Sequence, residues 1–303
     1  MLKKKVAILG SGNIGTDLLI KVMRSPHLEA SAFIGRNLYS SGMMKANSLG
    51  IKCSDEGIGF IQKNPDICDI VFDATSSLAH KEHASILKGL NKFVIDLTPA
   101  KIGPMTVPVV NIGEALRADN VNMVTCGGQA SVPLAYAIAQ VHAEIDYIEV
   151  VSSIASRSAG PATRLNLDEY IHTTEQALKH FSGAKNTKAI LNLNPASPCI
   201  NMQTTVFAQV KNPNISSLKK IVHEIANQVK QYVPGYEIIV EPMLENNRIV
   251  VMVRVKGLGD YLPEYAGNLD IINCAAIAVA EKYTKNRQHQ ANIKENKYEN
   301  CIN

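Results

Sequence analysis

The residues best suited to chemistry stand together in the run Val124-Thr125-Cys126-Gly127-Gly128-Gln129-Ala130. A thiol ends an apolar run there, glycines follow it, and a helix-like pattern opens at Ser131-Val132-Pro133-Leu134-Ala135-Tyr136-Ala137. The pattern predicts a thiol at the end of a strand and the mouth of a helix. Unpaired backbone N–H groups and the positive end of the helix dipole face such a thiol and lower its pKa. The thiolate is a nucleophile, and N–H groups beside Gly127 and Gly128 suit a developing oxyanion. Without the glycines, a lone cysteine reads as a packing residue, since free cysteine is among the most buried residue types.

A second run, Gly10-Ser11-Gly12-Asn13-Ile14-Gly15, follows the apolar stretch Val6-Ala7-Ile8-Leu9 and precedes the helix-like Thr16 to Met23. In that strand–turn–helix context the glycines permit a tight turn, let a pyrophosphate approach the backbone and let helix and strand pack closely. The helix N-terminus then holds the phosphate. A further strand, Ala30 to Gly35, ends where NAD enzymes carry an acid for the ribose hydroxyls, and Arg36-Asn37 stands there instead. An arginine can accept a 2′-phosphate, so NADP is expected to be tolerated or preferred beside NAD. Thr75, at the C-terminal end of the strand Asp69 to Ala74, is in the position where cofactor contacts gather in open parallel sheets.

These residues need a scaffold. The βα rhythm runs on through a helix at Ser41 to Leu49, strands at Ile51 to Cys53 and Lys92 to Leu97, and helices at Ile58 to Lys63 and Ala79 to Leu90. Thr98-Pro99-Ala100 closes as a loop, and Pro108 to Asn111 and Asn122 to Thr125 read as two more strands. Alternating strands and helices around one glycine-rich turn predict an α/β, doubly wound (Rossmann) parallel sheet. His80 and His83 share a helix face without a matching carboxylate and read as surface residues rather than metal ligands.

After Cys126 the pattern changes. Long β-branched strands (Tyr147 to Ile154, Ala189 to Leu193, Thr204 to Val210, Tyr236 to Glu241, Arg248 to Val255) alternate with helices from Asn166 or Asp168 to Phe181 and from Ser216 to Tyr232. This predicts an α+β unit with a mostly antiparallel sheet, whose open face suits a subunit partner. An apolar helix, Ile271 to Tyr283, is expected to return to the first unit. The expected division is 1–125 for the dinucleotide, 126–267 for catalysis and oligomerisation, 268–285 as the returning helix, and 286–303 as a frayed polar tail.

Composition excludes several classes. Net charge is +4, tryptophan is absent, and no basic stripe with interleaved aromatics appears, which argues against nucleic acid. Six cysteines (Cys53, Cys68, Cys126, Cys199, Cys274, Cys301) lack CxxC spacing, which fits a reducing compartment and no zinc module. No apolar run approaches membrane-spanning length, and the basic start meets Gly10 too soon for a signal segment. A cytoplasmic protein is expected.

Motifs along nearly the whole chain resemble the acylating acetaldehyde dehydrogenase family, the enzymes paired with 4-hydroxy-2-oxovalerate aldolase in bacterial aromatic catabolism. They are Gly10 to Gly15 with Thr16-Asp17-Leu18, Phe72-Asp73-Ala74-Thr75-Ser76, Ile95 to Ala100, Asn122 to Ala130, Ser158-Ala159-Gly160-Pro161, and Tyr261-Leu262-Pro263 with Ala266 to Asp270. The resemblance implies a two-domain fold shared with glyceraldehyde-3-phosphate and aspartate-semialdehyde dehydrogenases. It implies Cys126 as nucleophile and Ser11 to Ile14 on the dinucleotide. It places the loop Ser158, Ala159, Gly160, Pro161, Ala162, Thr163, Arg164, Leu165 and Asn166, together with Asn268, near the nicotinamide.

The implied reaction takes a short aldehyde, coenzyme A and NAD(P) to acyl-coenzyme A through a cysteine thioester. The implied assembly is a homodimer or a heterotetramer with the aldolase. Three departures stand out. Arg36 replaces an isoleucine–aspartate region, Met202-Gln203-Thr204-Thr205 replaces Met-Arg-Asp-Thr, and the stretch from Glu241 to Arg248 is shorter than usual. The missing aspartate leaves the base for the thiol unassigned. Two alternatives remain at this stage: a phosphate-using semialdehyde dehydrogenase with a histidine base (His172, His180 or His223), and a non-catalytic nicotinamide-bound partner of an aldolase.

Overall fold

A computed structural model describes residues 3–160, 163–164 and 166–299. Pro161, Ala162, Leu165 and Cys301 lie outside the described residues. The first half runs β1 (Lys4–Leu9), α1 (Asn13–Arg24), β2 (Leu28–Ile34), α2 (Ser41–Ser48), β3 (Cys53–Ser54), α3 (Ile58–Lys63), β4 (Ile70–Asp73), α4 (Ser77–Gly89), β5 (Phe93–Asp96), α5 (Pro108–Ala115) and β6 (Asn120–Asn122). Its strands form one parallel sheet in the order β3-β2-β1-β4-β5-β6. Val6, Ala7, Ile8, Ile70, Val71 and Phe72 are fully buried, as strands covered on both faces must be. The order reverses between β1 and β4, the switch point where ligands bind in such sheets.

The second half runs α6 (Cys126–Val141), β7 (Ile145–Ala155), α7 (Leu167–Ser182), β8 (Asn186–Asn194), β9 (Met202–Val210), α8 (Ile215–Lys230), β10 (Tyr236–Glu245), β11 (Arg248–Val255) and α9 (Gly267–Glu299). The sheet order is β10-β11-β9-β7-β8, antiparallel except for the β7–β8 pair. Ile148, Val150, Val206, Val251 and Val253 point into a core shared with α6, α7 and α8. Alternate residues on the other face, among them Glu149, Val151, Thr205, Phe207 and Met252, are only half-buried. β10 and β11 join through Asn246 and Asn247, both left-handed (φ 47° and 60°), the backbone of a type I′ hairpin. This tight turn is what the short Glu241–Arg248 stretch builds. α9 packs on the first sheet: Ile272, Ala275, Ala276 and Val279 join its core, and Tyr283 stacks on Phe93 at 4.0 Å.

The structure corrects four expectations. Pro108 to Val110 is a helical turn, not a strand, with Pro108 in its first turn, and Asn111 (φ −138°) kinks the helix there while its side chain accepts from Val107 N and donates to Met105 O. An apolar run that short does not distinguish strand from buried helix. β6 stops at Asn122, because Asn122 Oδ1 captures the Val124 N–H and Val124 turns left-handed. The segment from 286 continues α9 to Glu299 instead of fraying, since it is rich in lysine, glutamine and glutamate, good helix formers. His80 and His83 are buried, not at the surface, because the Asp73 carboxylate at the end of β4 needs donors.

Candidate active site

Cys126 is the first residue of α6, and Thr125 caps the helix by accepting the Gly128 N–H at 2.9 Å. The chain reaches that cap through Val124 at φ 60°, a left-handed turn that a β-branched residue adopts only under constraint. Its side chain fills the space over Gly128, where a Cβ would lie 2.6 Å from Val124 Cγ1. Gly127 serves a different end. A Cβ there would overlap the Tyr170 hydroxyl, so the bare backbone lets α7 bring that phenol to 3.5 Å from Cys126 Sγ.

The Gly128 N–H is spent on the cap and does not face the thiol, contrary to the paired-donor expectation. The Cys126 and Gly127 N–H groups do face it. They and Tyr170 draw the thiol pKa down, but burial outweighs them and pushes it above its ordinary value. The expected lowering by the helix mouth is therefore overturned: desolvation of the thiolate exceeds the help of local dipoles. Below the site, Ser152 of β7 and Thr204 of β9 are buried with their hydroxyls 3.0 Å apart. A Cβ on Gly127 would lie 3.3 Å from Ser152 Oγ, so Thr204, where an aspartate was the family expectation, belongs to the floor under the thiol.

Cys126 stays half-buried and opens into a cleft of about 340 Å³ between the two halves. Gly12, Asn13, Ile14, Thr75, Ser158, Gly160, Thr163, Asn166 and Asn268 also line it. The dinucleotide turn is well formed. Gly10 has φ 108°, which favours glycine, and a Cβ there would come 2.5 Å from Ala74 O. At Gly12, the α1 cap, a Cβ would meet nothing within 4 Å, leaving a cradle at the helix mouth. Asn268 is buried with an unpartnered Oδ1 at the cleft wall, an atom that an amide donor would satisfy. These residues fit a nicotinamide dinucleotide.

Other candidates lie elsewhere. Ser11 faces the Ser40 hydroxyl at 3.3 Å, and Arg36 is exposed just beyond β2. Gly15 is buried against the turn, and Ala159 is buried. Arg164 folds back on its own loop, donating to Ala159 O, Ser156 O and Ser156 Oγ. Sequence reasoning missed Tyr170. Its only signal is its place one turn beyond Asn166, which occupies the cap position of α7.

Two buried charge networks hold the cleft walls. Asp73 accepts from His80 and His83 at 2.9 and 2.7 Å and from the Thr75 N–H and hydroxyl. Burial raises its pKa, but the two histidines and Thr75 overcome this and hold it well below the carboxylate range. Asp96, which orients Thr98 and Asn122, is pushed up to about 6 by burial. Burial lowers His80, yet bonding to Asp73 and the charge of Asp96 raise it above 6.5. As an imidazolium it donates from Nδ1 to Asp73, and a turned Asn120 amide would present its unpartnered Oδ1 to Nε2. A raised folded-state pKa means stability fully present below pH 6.5 and lost as pH rises through the folded value. The midpoint of thermal unfolding is therefore expected to fall as pH rises above about 6.5, and His80→Gln to flatten that slope. An unchanged slope in the variant contradicts the assignment.

In the second network, Lys21 of α1 lies 2.7 Å from Asp17, 2.8 Å from Asp270 and 3.1 Å from Asp260. Arg24 pairs with Asp260 from the outside. Three carboxylates with ligand atoms this close could hold a metal ion, but the Lys21 ammonium is the cation they enclose. The cluster ties α1 to the N-terminus of α9, which carries Asn268.

Comparison with known proteins agrees with this architecture. Residues 126–263 match the family model for prokaryotic acetaldehyde dehydrogenase, dimerisation. The acetaldehyde dehydrogenase of Spirochaeta aurantia is 62% identical over 286 residues, covering 94% of this chain and 96% of that protein. The acetaldehyde dehydrogenase of Pectobacterium atrosepticum is 60% identical over 281 residues, with 92% and 95% covered. Among solved structures, aspartate semialdehyde dehydrogenase II of Vibrio cholerae, complexed with ASA, superposes with a TM-score of 0.63 at 13% identity, covering 92% of this chain and 98% of that one. The Candida albicans aspartate semialdehyde dehydrogenase with NADP gives 0.62 at 12% identity, with 92% and 100% covered. Those two show the fold, which is the glyceraldehyde-3-phosphate dehydrogenase-like one. The identities over nearly the full length show more: the chain belongs to the acetaldehyde dehydrogenase family and is an aldehyde-oxidising enzyme.

Proposed function

We propose that the protein oxidises a short aldehyde, acetaldehyde first among them, to an acyl thioester on Cys126 and passes the acyl group to coenzyme A. The observation that carries this reading is a half-buried thiol opening into the same cleft as a glycine-rich phosphate turn and an unsatisfied amide. Cys126 as thiolate attacks the carbonyl carbon, and the Gly127 N–H beside the sulfur would serve as a donor to the oxyanion. Gly12, Asn13 and Ile14 would take the pyrophosphate, and Thr75 and Asn268 the nicotinamide end. The bound nicotinamide dinucleotide supplies the hydride acceptor. Coenzyme A thiol then attacks the thioester and releases Cys126, which gives ping-pong kinetics. A thioester conserves the oxidation energy and transfers readily to another thiol, which a serine ester does not.

In this reading residues 1–125 and the helix 268–285 hold the dinucleotide, and residues 126–267 carry the thiol and the subunit contact. The half-buried face of the second sheet is the surface offered to a second copy, and the match to a dimerisation model supports it. A 4-hydroxy-2-oxovalerate aldolase that releases the aldehyde remains the partner the sequence resemblance suggests. A phosphate-using reaction is disfavoured by the histidines it would need. His172 pairs with Gln176, His223 with Glu241, and no histidine lines the cleft among the described residues. One assay decides: protein, acetaldehyde and NAD or NADP are mixed, and absorbance of the reduced cofactor is followed with coenzyme A or with phosphate. Turnover requiring coenzyme A is expected. Turnover on phosphate alone overturns the acceptor, and silence throughout with an intact Cys126 overturns the enzyme reading.

Arg36 sets the expected cofactor choice. It is exposed beyond β2 and follows Gly35, which packs against Ser11, and α2 carries no acid in its first turn. A 2′-phosphate is favoured there by charge and by available donors. Arg36→Ala is expected to weaken NADP binding about tenfold and to leave NAD nearly unchanged. A strong NAD preference that the variant does not alter contradicts this.

A further inference from the structure

Among the described residues, the cleft has no carboxylate, lysine or histidine in its lining. Its ionisable side chains are Cys126 and Tyr170. Nothing in its wall can act as a conventional base for the thiol. Of the carboxylates that adjoin the lining in sequence, Asp73 is bound by His80 and His83, Asp96 by Thr98 and Asn122, Asp270 is paired with Lys21, and Glu169 accepts from the Ser77 hydroxyl at 3.2 Å. From the sheet below, the polar groups at the Gly127 floor are the uncharged hydroxyls of Ser152 and Thr204.

Tyr170 is held in place deliberately. Its hydroxyl is 3.5 Å from Cys126 Sγ, in the space that Gly127 leaves open. The Thr174 hydroxyl donates to the Tyr170 carbonyl at 2.8 Å and lies 2.8 Å from the Thr125 hydroxyl. With the Thr174 proton committed to that carbonyl, Thr125 must donate to Thr174. Thr125 Oγ1 is then left as an acceptor for the Gly128 N–H. One hydroxyl chain thus locks the first turn of α7, which bears the phenol, to the cap of α6, which bears the thiol.

We propose that Tyr170 is a catalytic residue of the aldehyde oxidation: its phenol O–H donates first to the Cys126 thiolate and then to the oxygen of the aldehyde adduct. The proposal rests on Cys126 being the nucleophile. Burial holds Tyr170 well above its ordinary pKa, so it stays protonated and serves as a donor, not a base. In the neutral pair the S–H donates to the phenol oxygen. The thiol proton leaves to water in the cleft, and the phenol turns to donate to sulfur. When sulfur bonds to the carbonyl carbon, the π pair moves to oxygen and the phenol hydrogen bond follows it. The O–H bond stays intact throughout. The carbonyl reforms as hydride leaves for the nicotinamide, which is reduced as the aldehyde carbon is oxidised.

The test is Tyr170→Phe, which keeps the ring and removes the hydroxyl. In cofactor-free protein, the pH midpoint for alkylation of Cys126 by iodoacetamide is expected to rise by about one unit, a tenfold loss of thiolate at fixed pH. Turnover is expected to fall about 100-fold in kcat, with little change in KM for the aldehyde. Placing 3-fluorotyrosine at 170 keeps the shape and strengthens the donor, so the midpoint should move down. This second variant decides the matter if the phenylalanine protein does not fold. Superimposable alkylation curves, with kcat within about threefold of the parent, overturn the proposal. If Cys126→Ser is dead while Tyr170→Phe is unaffected, the tyrosine assignment alone fails. If Cys126→Ser turns over, the nucleophile reading fails and this proposal with it.

Discussion

Cys126→Ser is expected to lower kcat for aldehyde oxidation by about 10⁴-fold or more, while dinucleotide affinity stays within about twofold of the parent. The substitution changes one atom, and a hydroxyl fits the same half-buried place at the start of α6. What changes is acidity. The thiol is already raised above its ordinary value by burial, and the cleft wall has no carboxylate, lysine or histidine to take a proton from it among the described residues. A thiol in that setting still reaches its thiolate as pH rises. An alcohol, with a far higher pKa and no base beside it, does not. The acyl ester that a serine could form would also transfer poorly to coenzyme A. Stopped-flow or steady-state absorbance of the reduced cofactor checks the rate, and fluorescence titration checks the dinucleotide. Turnover within about tenfold of the parent contradicts the assignment of the nucleophile.

Lys21→Met is expected to produce a large loss of stability. Burial alone would lower the Lys21 pKa, but Asp270 and then Asp17 overcome it and hold the ammonium charged well above the usual range. Removing it leaves Asp17, Asp260 and Asp270 with ligand atoms within 4.8 Å of one another, with Arg24 on Asp260 as the remaining paired cation among the described residues. Breaking a buried ion pair by deleting one partner costs about 3–5 kcal/mol, because the other charge is left uncompensated. The midpoint of thermal unfolding should fall on the order of 10 °C. Acid should restore part of the loss by protonating the stranded carboxylates, and adding Asp270→Asn should restore part of it at neutral pH. Because Asp270 stands two residues from Asn268 on α9, dinucleotide affinity should weaken with stability. An unchanged unfolding midpoint contradicts this account of the cluster.

What the sequence made legible was local. The strand Val6 to Leu9, the turn Gly10 to Gly15 and the helix after it are visible because each is specified by its own residues. Arg248 to Val255 is a strand at the bounds its β-branched run implies. Cys126 sits at a helix mouth because Thr125 is a good cap and Gly128 offers it an N–H. What stayed hidden depends on contacts distant in sequence. His80 and His83 look like a polar helix face until Asp73, at the end of the preceding strand, is seen to need them. The helical turn at Pro108 to Val110 is held by the Asn111 side chain, which bonds the backbone before it. The sign of the Cys126 shift is hidden for the same reason: a helix mouth can be read from neighbours, whereas burial depends on α7 packing over it. Tyr170 reaches the thiol only because that packing occurs and Gly127 leaves room for it.

The central claim, a thioester on Cys126, is tested most directly by the mass of the protein itself. The enzyme is mixed with acetaldehyde and oxidised cofactor without coenzyme A, quenched in acid, digested, and the peptide bearing Cys126 is weighed. The account predicts one acetyl group on Cys126, formed with one equivalent of reduced cofactor and discharged by coenzyme A but not by phosphate. Reduced cofactor without an acetyl group on Cys126, or an acetyl group that survives coenzyme A, would contradict it.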